Sequence, residues 1–299
     1  MTHLQVNKDL LSTLKDKIVV ITGGATGIGK AAVTQFVSHG AKVVFGDVNE
    51  QLSEELVSEL GPNVTFKKCN AASYEDQLAL FAQTDKLHGR VDVVVGNAGV
   101  VTVEDMFGPK SDWTQEPDMK EIDVNLAGTM YTTRIGLAYL RKNGGGDIVL
   151  TSSIAGFKES GGLASYTASK HGVIGIIRGL NLTVIREGIR VNVVCPWMTK
   201  TPMAKWFQDS WINQGLPSNE PEDVADAILI CATANRGKEG LSHEGAALPF
   251  AGKIIWVGGG GSYEIEDRIQ ALESQWLGEE NSRVLVKGQE FLAKNGGYA

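Results

Sequence analysis

The chain has 299 residues, of which 42% are hydrophobic and 21% are charged, and this composition excludes a disordered chain. Its formal net charge is −7, which argues against nucleic acid or an anionic membrane as the partner. No apolar run approaches the roughly 18 residues that a membrane-spanning helix needs, and the N-terminus lacks the apolar centre of a signal peptide. The three cysteines, Cys69, Cys195 and Cys231, lie far apart without a metal-ligand spacing, so we expect a reduced, cytoplasmic protein without a metal site.

The first part of the chain predicts a strand, a glycine-rich turn and a helix in immediate succession. Ile18–Ile21 is an unbroken apolar run, typical of a strand buried on both faces, and the turn Thr22–Gly29 follows it. This geometry directs backbone N–H groups and a helix N-terminus at an anion, and the absent side chains of Gly23, Gly27 and Gly29 leave room for a pyrophosphate. A tight turn without a ligand has the same pattern, so the turn alone leaves both interpretations open.

A second apolar strand, Ala41–Gly46, ends at Asp47, 18 residues beyond Gly29. A carboxylate at about this distance from a glycine turn can accept hydrogen bonds from the hydroxyls of an adenosine ribose. The same carboxylate would repel the additional phosphate of NADP, and neither Val48 nor Asn49 is a basic residue that could bind it. The sequence therefore favours NAD, and an aspartate that only begins the next turn is the competing interpretation.

Helices and strands then alternate with short connections. We predict helices at Asn49–Leu60 and Ser73–His88, and strands at Val64–Cys69 and Val91–Val95. This βαβαβαβ order is typical of a doubly wound parallel sheet with right-handed crossovers.

Two of the predicted strand ends carry residues suited to a nucleotide. Asn70 and Ala71 follow the third strand, where a loop can meet an adenine edge. The small residues Asn97, Ala98 and Gly99 follow the fourth strand and leave room for a flat ligand beside the backbone. Ligands of doubly wound sheets bind at the carboxyl ends of the strands, so these positions belong to one expected site.

The middle of the chain predicts two long helices, Lys120–Leu140 and Ser165–Ile185. Asn125 lies inside the first of them, where an amide is unfavourable unless it has a partner, so this side chain is either exposed or specifically bonded. In the second helix Tyr166 and Lys170 are four residues apart and therefore project from one face.

Three further strands complete the predicted sheet, at Asp147–Leu150, Arg190–Cys195 and Lys253–Val257, with helices at Ala204–Asn213 and Glu222–Ala234. We therefore predict an α/β, three-layer, doubly wound Rossmann fold with a mostly parallel, seven-stranded sheet, formed by a single domain over residues 1–262.

Residues 263–299 are predicted to form a C-terminal extension that is helical in part. Apolar side chains recur at helical spacing through Tyr263–Leu277, and the preceding run Gly258–Gly261 is typical of a flexible hinge. A free helix of this length is marginal in water, so its apolar stripe should pack on its own or a neighbouring subunit. It either partly covers a substrate entrance near Trp206–Trp211 or docks far from it.

These motifs resemble those of the short-chain dehydrogenase/reductase family over roughly residues 14–260. Thr22–Gly29 matches the family's T-G-x-x-x-G-x-G, and Asn97-Ala98-Gly99 matches its N-A-G. The tail sequence YEIEDRIQALESQWLG is also similar to that of fungal secondary-metabolite members. The family's catalytic set falls on Asn125, Ser153, Tyr166 and Lys170.

The chemistry of alcohol oxidation suits this set, because it needs a base for the hydroxyl proton and a hydride acceptor at the carbon. A free tyrosine has a pKa of about 10, and both the Lys170 cation and a positively charged nicotinamide ring would favour the Tyr166 phenolate. The resemblance further implies that Lys170 holds the nicotinamide ribose, that Ser153 hydrogen-bonds the substrate oxygen, and that Asn125 binds a water that relays protons to solvent.

The resemblance also implies a cofactor site for NAD. Its expected residues are Gly23, Thr26, Gly27, Ile28, Gly29, Asp47, Val48, Asn70, Ala71, Asn97, Ala98, Gly99, Tyr166, Lys170, Pro196, Thr199 and Thr201. Three positions depart from the family's pattern, and one of them is Gly96, which replaces a common Asn. Asn70 stands where an Asp is usual, and Trp197 replaces the usual Gly after Pro196, which puts a large ring near the nicotinamide end.

We therefore expect NAD-dependent oxidation of a secondary alcohol to a ketone, or the reverse carbonyl reduction, on a bulky hydrophobic small molecule such as a secondary-metabolite intermediate. Trp197, Met203, Trp206 and Phe207 are the expected substrate contacts, and packing of a lid explains several of them about as well. The competing hypothesis is a non-redox protein that keeps the fold and binds NAD(H).

The resemblance implies a homodimer or homotetramer joined through the outer faces of the two long helices. Gly172, Gly175 and Gly179 would permit close approach of the helices there.

Overall fold

Short β-branched runs form the strands of a nine-stranded sheet in the computed structural model, which describes residues 1–102, 106–237 and 241–294. Seven strands run parallel in the order β4-β3-β2-β5-β6-β7-β8, and β9 and β1 continue the sheet antiparallel beyond β8. The strands are β1 Thr2–Leu4, β2 Ile18–Thr22, β3 Lys42–Asp47, β4 Val64–Lys68, β5 Val93–Gly96, β6 Gly146–Thr151, β7 Ile189–Pro196, β8 Ile254–Gly258 and β9 Gly261–Glu264.

The doubly wound architecture is confirmed, and the predicted seven strands are the parallel part of the sheet, but the predicted strand number is two too low. The run predicted as a flexible hinge is a tight hairpin turn, in which Gly258 pairs with Gly261. Gly259 and Gly260 have φ angles of 60° and 79°, the left-handed values that a two-residue hairpin requires at both central positions. The proposed boundary at residue 262 therefore falls inside β9.

Helices cover both faces of the sheet and enclose two apolar cores. One core lies under α2 and α8, and the other under α4, α5 and α6. The helices are α1 Lys8–Leu11, α2 Gly27–Ser38, α3 Glu50–Leu60, α4 Tyr74–His88, α5 Thr129–Lys142, α6 Ala164–Val184, α7 Lys205–Asn213, α8 Pro221–Thr233, α9 Glu266–Ala271, α10 Glu273–Leu277 and α11 Glu279–Lys294. Within the described ranges, no helix combines the length and the apolar character needed to cross a membrane.

The predicted helix Lys120–Leu140 is two structures in series. A π-helical segment, Ile122–Gly128, precedes α5. Gly128 lies at a close approach, because a Cβ there would be 2.7 Å from the carbonyl oxygen of Ala71. The amide of Gln77 donates to both of these carbonyls, at 2.5 Å for Ala71 and 2.8 Å for Gly128, which fixes the segment against the loop after β4.

The predicted helix Tyr263–Leu277 is wrong in its first part. Tyr263 belongs to β9, and two short helices, α9 and α10, follow. The segment docks on α6, where Arg178 donates to both carboxylate oxygens of the buried Glu266 at 3.1 and 2.8 Å. The last residues of the expected extension, 295–299, lie outside the described residues.

Candidate active site

A cavity of about 580 Å³ opens at the carboxyl ends of the parallel strands. It lies where the strand order reverses between β2 and β5, the position at which doubly wound sheets bind ligands. We call the part lined by the glycine turn, Asp47 and Asn70 the nucleotide end. The opposite part, lined by Trp197, Met203, Trp206, Phe207 and Trp211, is the aromatic end.

The glycine turn is built by close backbone packing. A Cβ on Gly29 would lie 1.8 Å from the carbonyl oxygen of Gly23, and a Cβ on Gly23 would lie 2.7 Å from the Cα of Ala98. Thr26 is the N-cap of α2 and makes no side-chain cap hydrogen bond, so amide groups of the first turn face the cavity without a protein side chain to bind. This uncapped N-terminus fits the phosphates of a dinucleotide.

Asp47 ends β3 beside this turn. Its Oδ2 accepts from the Ala25 N–H at 3.0 Å, and its Oδ1 accepts from the Asn49 N–H at 2.9 Å. No ion pair joins Asp47 to a basic side chain within the described ranges. The carboxylate is therefore held in place by the backbone, and its remaining lone pairs and its charge act on whatever binds next to it.

The end of β5 is fixed to the same turn. The side-chain amide of Asn97 donates to the Gly23 carbonyl at 2.9 Å, and the Asn97 N–H donates to the Thr22 hydroxyl at 3.2 Å. A Cβ on Gly99 would lie 3.4 Å from the Lys170 Nζ, which shows how closely this segment passes the opposite wall of the cavity.

Lys170 is the buried cation of the site, with 4% of its surface exposed. Its Nζ donates to the Thr151 carbonyl at 3.1 Å and lies 5.5 Å from the centre of the Tyr166 ring. Burial lowers the pKa of Lys170 to about 8, so the ammonium remains protonated at neutral pH.

Tyr166 faces the same cavity, and its surroundings raise the pKa of the phenol. Burial is the main cause, a hydrogen bond with Ser153 opposes it, and the negative charge of Glu121 adds to it. Ser153 follows β6 and also accepts from the Ala155 N–H at 3.2 Å. The expected lowering of the phenol's pKa is therefore absent in the chain alone.

Asn125 is fully buried, and both the oxygen and the nitrogen of its side-chain amide are hydrogen-bonded. Its Oδ1 accepts from the Val100 N–H at 2.7 Å, and its Nδ2 donates to the Val100 carbonyl at 2.9 Å and to the Ser169 hydroxyl at 3.2 Å. Ser169 in turn donates to the Tyr166 carbonyl at 2.7 Å. The amide thus fastens the segment after β5 to the helix that carries Tyr166.

The cavity brings together most of the residues singled out in the sequence. Gly29 and Asn125 do not line it, because Gly29 packs beneath the turn and Asn125 behind the wall. Those that line it are Gly23, Thr26, Gly27, Ile28, Asp47, Val48, Asn70, Ala71, Asn97, Ala98, Gly99, Ser153, Tyr166, Lys170, Pro196, Trp197, Thr199, Thr201, Met203, Trp206 and Phe207.

The aromatic end is a set of rings in mutual contact. Trp197 meets Trp211 edge to face, with ring centres 5.1 Å apart and an interplanar angle of 85°. Trp206 packs on Phe207 at 4.6 Å. Trp211 also donates its indole N–H to the Pro217 carbonyl at 2.9 Å, which fixes the end of α7 to the following loop.

Sequence reasoning missed residues that act behind the wall. Ser169 lies there, where its hydroxyl accepts from the Asn125 amide at 3.2 Å and donates to the Tyr166 carbonyl at 2.7 Å. Glu121 was part of an ordinary helical pattern, yet it is almost fully buried beside the tyrosine. Its four-residue spacing before Asn125 was a possible signal, since it places both side chains on one helix face.

The strand order and the position of the cavity are those of dinucleotide-binding α/β proteins, and Tyr166 and Lys170 both line this cavity. The family described as short chain dehydrogenase matches residues 17–210, which is more than half of the chain. The protein belongs to this family of oxidoreductases, which use a nicotinamide cofactor and act on small molecules.

Known relatives extend the likeness beyond the family core. The short-chain dehydrogenase/reductase prx4 of Penicillium roqueforti is 33% identical over 302 aligned residues, covering 97% of this chain and 88% of prx4. The 5'-hydroxyaverantin dehydrogenase of Dothistroma septosporum is 27% identical and covers 97% of this chain and 98% of its own. These fungal relatives confirm the likeness to secondary-metabolite members.

A solved structure supports the fold. The 3-ketoacyl-(acyl-carrier-protein) reductase of Brucella melitensis, which was crystallised with NADH, superposes with a TM-score of 0.71 at 23% identity. The alignment covers 83% of this chain and 98% of the reductase.

Proposed function

We propose that the protein oxidises a secondary alcohol to a ketone with NAD, on a bulky hydrophobic small molecule, and that it also catalyses the reverse reduction. The observation that carries this proposal is the convergence of Tyr166, Lys170 and Ser153 on the cavity that the glycine turn and Asp47 line from the other side. Hydride chemistry needs both halves at one place, the base at the hydroxyl and the nucleotide at the carbon.

In this proposal Tyr166 takes the proton of the substrate hydroxyl, and Ser153 holds the oxygen. NAD would supply the hydride acceptor, held by the glycine turn and Asp47 at one end and by Lys170 and Thr199 at the other. Because burial and the charge of Glu121 raise the pKa of the phenol in the chain alone, a positively charged nicotinamide ring beside it would favour the phenolate that accepts the proton. This dependence would couple deprotonation of Tyr166 to binding of the oxidised cofactor.

The preference for NAD rests on Asp47. Its carboxylate is fixed by two backbone N–H groups at the end of β3, and no basic side chain pairs with it within the described ranges. The additional phosphate of NADP would meet this charge at close range and be repelled by it.

The choice of a bulky hydrophobic substrate rests on the aromatic end. Trp206 is 55% exposed although it lines the cavity, so a large flat surface is available for a ligand to cover. Trp197 is backed by Trp211 at 5.1 Å and by Trp256 at 6.3 Å, which holds its ring as one wall. Stacking on such rings favours unsaturated or polycyclic molecules.

A panel of hydrophobic secondary alcohols, each mixed with NAD and the protein, tests the proposal by the absorbance of the NADH formed. We expect bulky members of the panel to be oxidised and NADP to be the poorer oxidant. Binding of NADH without oxidation of any alcohol or reduction of any ketone would favour the non-redox alternative. The proposed mechanism also predicts that replacing Tyr166 removes most of this oxidation activity.

We further propose that the protein works in the cytoplasm as a homodimer or homotetramer joined through α5 and α6. Met130 on α5 and Leu182 on α6 are 53% and 51% exposed, and a second copy packed on these helices would cover such apolar side chains. Light scattering at micromolar concentration tests this, and a monomer mass would contradict it.

A further inference from the structure

Glu121 is a buried carboxylate that the proposed chemistry leaves without a role. It is 3% exposed and directly precedes the π-helical segment Ile122–Gly128. Within the described ranges, none of the ion pairs involves Glu121. Burial of an ionised carboxylate without a cation is unfavourable unless hydrogen bonds replace the lost water.

Both oxygens of Glu121 accept a hydrogen bond, as expected for an ionised carboxylate. The Thr102 N–H donates to Oε1 at 2.6 Å, and the Ser165 hydroxyl donates to Oε2. Thr102 belongs to the segment after β5 that lines the cavity through Gly99 and Val100. Ser165 lies in the first turn of α6, one residue before Tyr166. One side chain therefore joins three segments at the position of the tyrosine.

We propose that Glu121 is a positioning residue for Tyr166, because its carboxylate fastens the first turn of α6 to the segment that follows β5. Asn125 makes the companion connection one turn further along, from Val100 to Ser169. Glu121 and Asn125 together bind α6 at Ser165 and at Ser169 to the segment that follows β5. This inference rests on the proposed role of Tyr166 as the base.

The negative charge of Glu121 also affects the pKa of Tyr166. The groups that face the phenol are Ser153 after β6, Cys195 on β7, Lys170 on α6 and Glu121 itself. Ser153 lowers the pKa of Tyr166, whereas the negative charge of Glu121 raises it. Glu121 thus holds the start of α6 in place and at the same time favours the protonated form of the phenol.

The first test is a titration that needs no substrate. The tyrosinate absorbance of Tyr166 is obtained as the difference between the protein and its Tyr166→Phe variant, and it is compared in the background of Glu121→Gln. Glutamine keeps the size and both bonds, since the Ser165 hydroxyl can turn to accept, but it lacks the charge. We expect the Tyr166 midpoint to move to lower pH by about half a unit or more.

Glu116→Gln is the matched control, because it removes one negative charge from an exposed position in the chain segment between β5 and the π-helical segment. It should leave the Tyr166 midpoint where it is. Equal midpoints for the unmodified protein, Glu121→Gln and Glu116→Gln would overturn the electrostatic part of the proposal. Equal shifts in both variants would overturn it as well, since only net charge would then matter.

The second test removes the hydrogen bond between Glu121 and Ser165 while the charge of Glu121 is kept. Ser165→Ala breaks the bond to α6 and leaves the carboxylate, and it remains informative if Glu121→Gln fails to fold. We expect kcat for an oxidised alcohol to fall about tenfold with KM little changed. A Ser165→Ala variant with unchanged kcat would show that the bond does not position the base. If the protein oxidises no alcohol at all, the proposed function fails, and the titration still tests the effect of the Glu121 charge on Tyr166 independently.

Discussion

At the nucleotide end of the cavity the walls are made by backbone, whereas at the aromatic end they are made by side chains. The glycine turn, Asp47 and Asn97 are held by bonds to backbone atoms of β2, β3 and β5. Trp206 and Phe207 lie on α7, a nine-residue helix with no buried residues, and contact mainly other rings. The first end has little freedom to accept a different ligand, and the second can change its ligand by changing single side chains.

The largest effect should come from the base that lies between the two ends. Tyr166→Phe removes only the phenolic oxygen, so we expect turnover to fall by about 10²–10⁴, the usual contribution of general acid–base catalysis. Affinity for NADH, measured by calorimetry, should be retained. Near-normal turnover in this variant would remove Tyr166 from the mechanism.

The backbone nature of the nucleotide end is tested by Gly29→Ala. The new Cβ would lie 1.8 Å from the Gly23 carbonyl oxygen, so the turn has to move. We expect a loss of about 3 kcal/mol or more of unfolding free energy, together with weaker NADH binding.

Gly288→Ala is the control for this change. Nothing lies within 4 Å of a Cβ at Gly288, which is inside α11. Alanine there should leave stability unchanged or raise it by up to about 1 kcal/mol. Similar melting temperatures for the two variants would show that the turn tolerates side chains.

Cofactor choice is tested at Asp47. Asp47→Ser removes charged hydrogen-bond acceptors for the ribose, and we expect the Kd for NADH to rise about 10–100-fold. The Kd for NADPH should fall, because the repulsion is gone. Calorimetric titrations with both nucleotides measure the two changes. A protein that already prefers NADPH would contradict the assignment.

Lys170 is expected to lower the stability of the fold that it serves. Burial lowers its pKa from 10.5 to about 8, so between pH 8 and 10.5 the unfolded chain binds more protons, and stability rises with pH across this window. The cost is fully present below pH 8 and amounts to about 3 kcal/mol.

Lys170→Met should therefore melt higher at neutral pH by a few degrees, after allowance for the lost bond to Thr151. The difference from the unmodified protein should shrink as the pH rises toward 10.5. Thermal melts at several pH values measure it. A variant that melts lower at neutral pH and keeps a constant difference would contradict the argument.

The smallest effect should come from the aromatic end. Trp206→Ala removes a ring that is 55% exposed, and we expect KM for a bulky alcohol to rise about five- to tenfold with kcat little changed. Trp113→Ala is the control, since this ring is 90% exposed and does not line the cavity. Equal KM values in the two variants would mean that Trp206 packs the surface without touching substrate.

The sequence could predict the elements that depend on local backbone patterns, but not those that depend on contacts between distant segments. The spacing of Gly23, Gly27 and Gly29 encodes a local backbone turn, so the strand, the turn and the helix were all found from the letters alone. Strand β1 has three residues and no periodicity to detect, and the hairpin glycines Gly259 and Gly260 look identical to a flexible linker. The strand β1 and this hairpin form only through pairing with β9 and β8, which a local sequence pattern does not encode.

Glu121 illustrates the limit within the site. In a helical pattern a glutamate predicts a solvated face, and only the arrival of Thr102 and Ser165 from other segments makes it a buried acceptor. The positions of Trp206 and Phe207 were equally clear in the sequence, but their mutual contacts depend on α7 folding back over the cavity.

The contacts between rings at the aromatic end also have an optical consequence. Of the six tryptophans, Trp197, Trp206, Trp211 and Trp256 belong to one connected set of rings beside the cavity. Trp113 and Trp276 lie apart from it and are 90% and 66% exposed. Indole emission overlaps the absorption of a reduced nicotinamide, so a cofactor bound here would accept excitation energy from most of the chain's fluorophores. Quenching of the intrinsic fluorescence would then report occupancy of the site without any substrate or label.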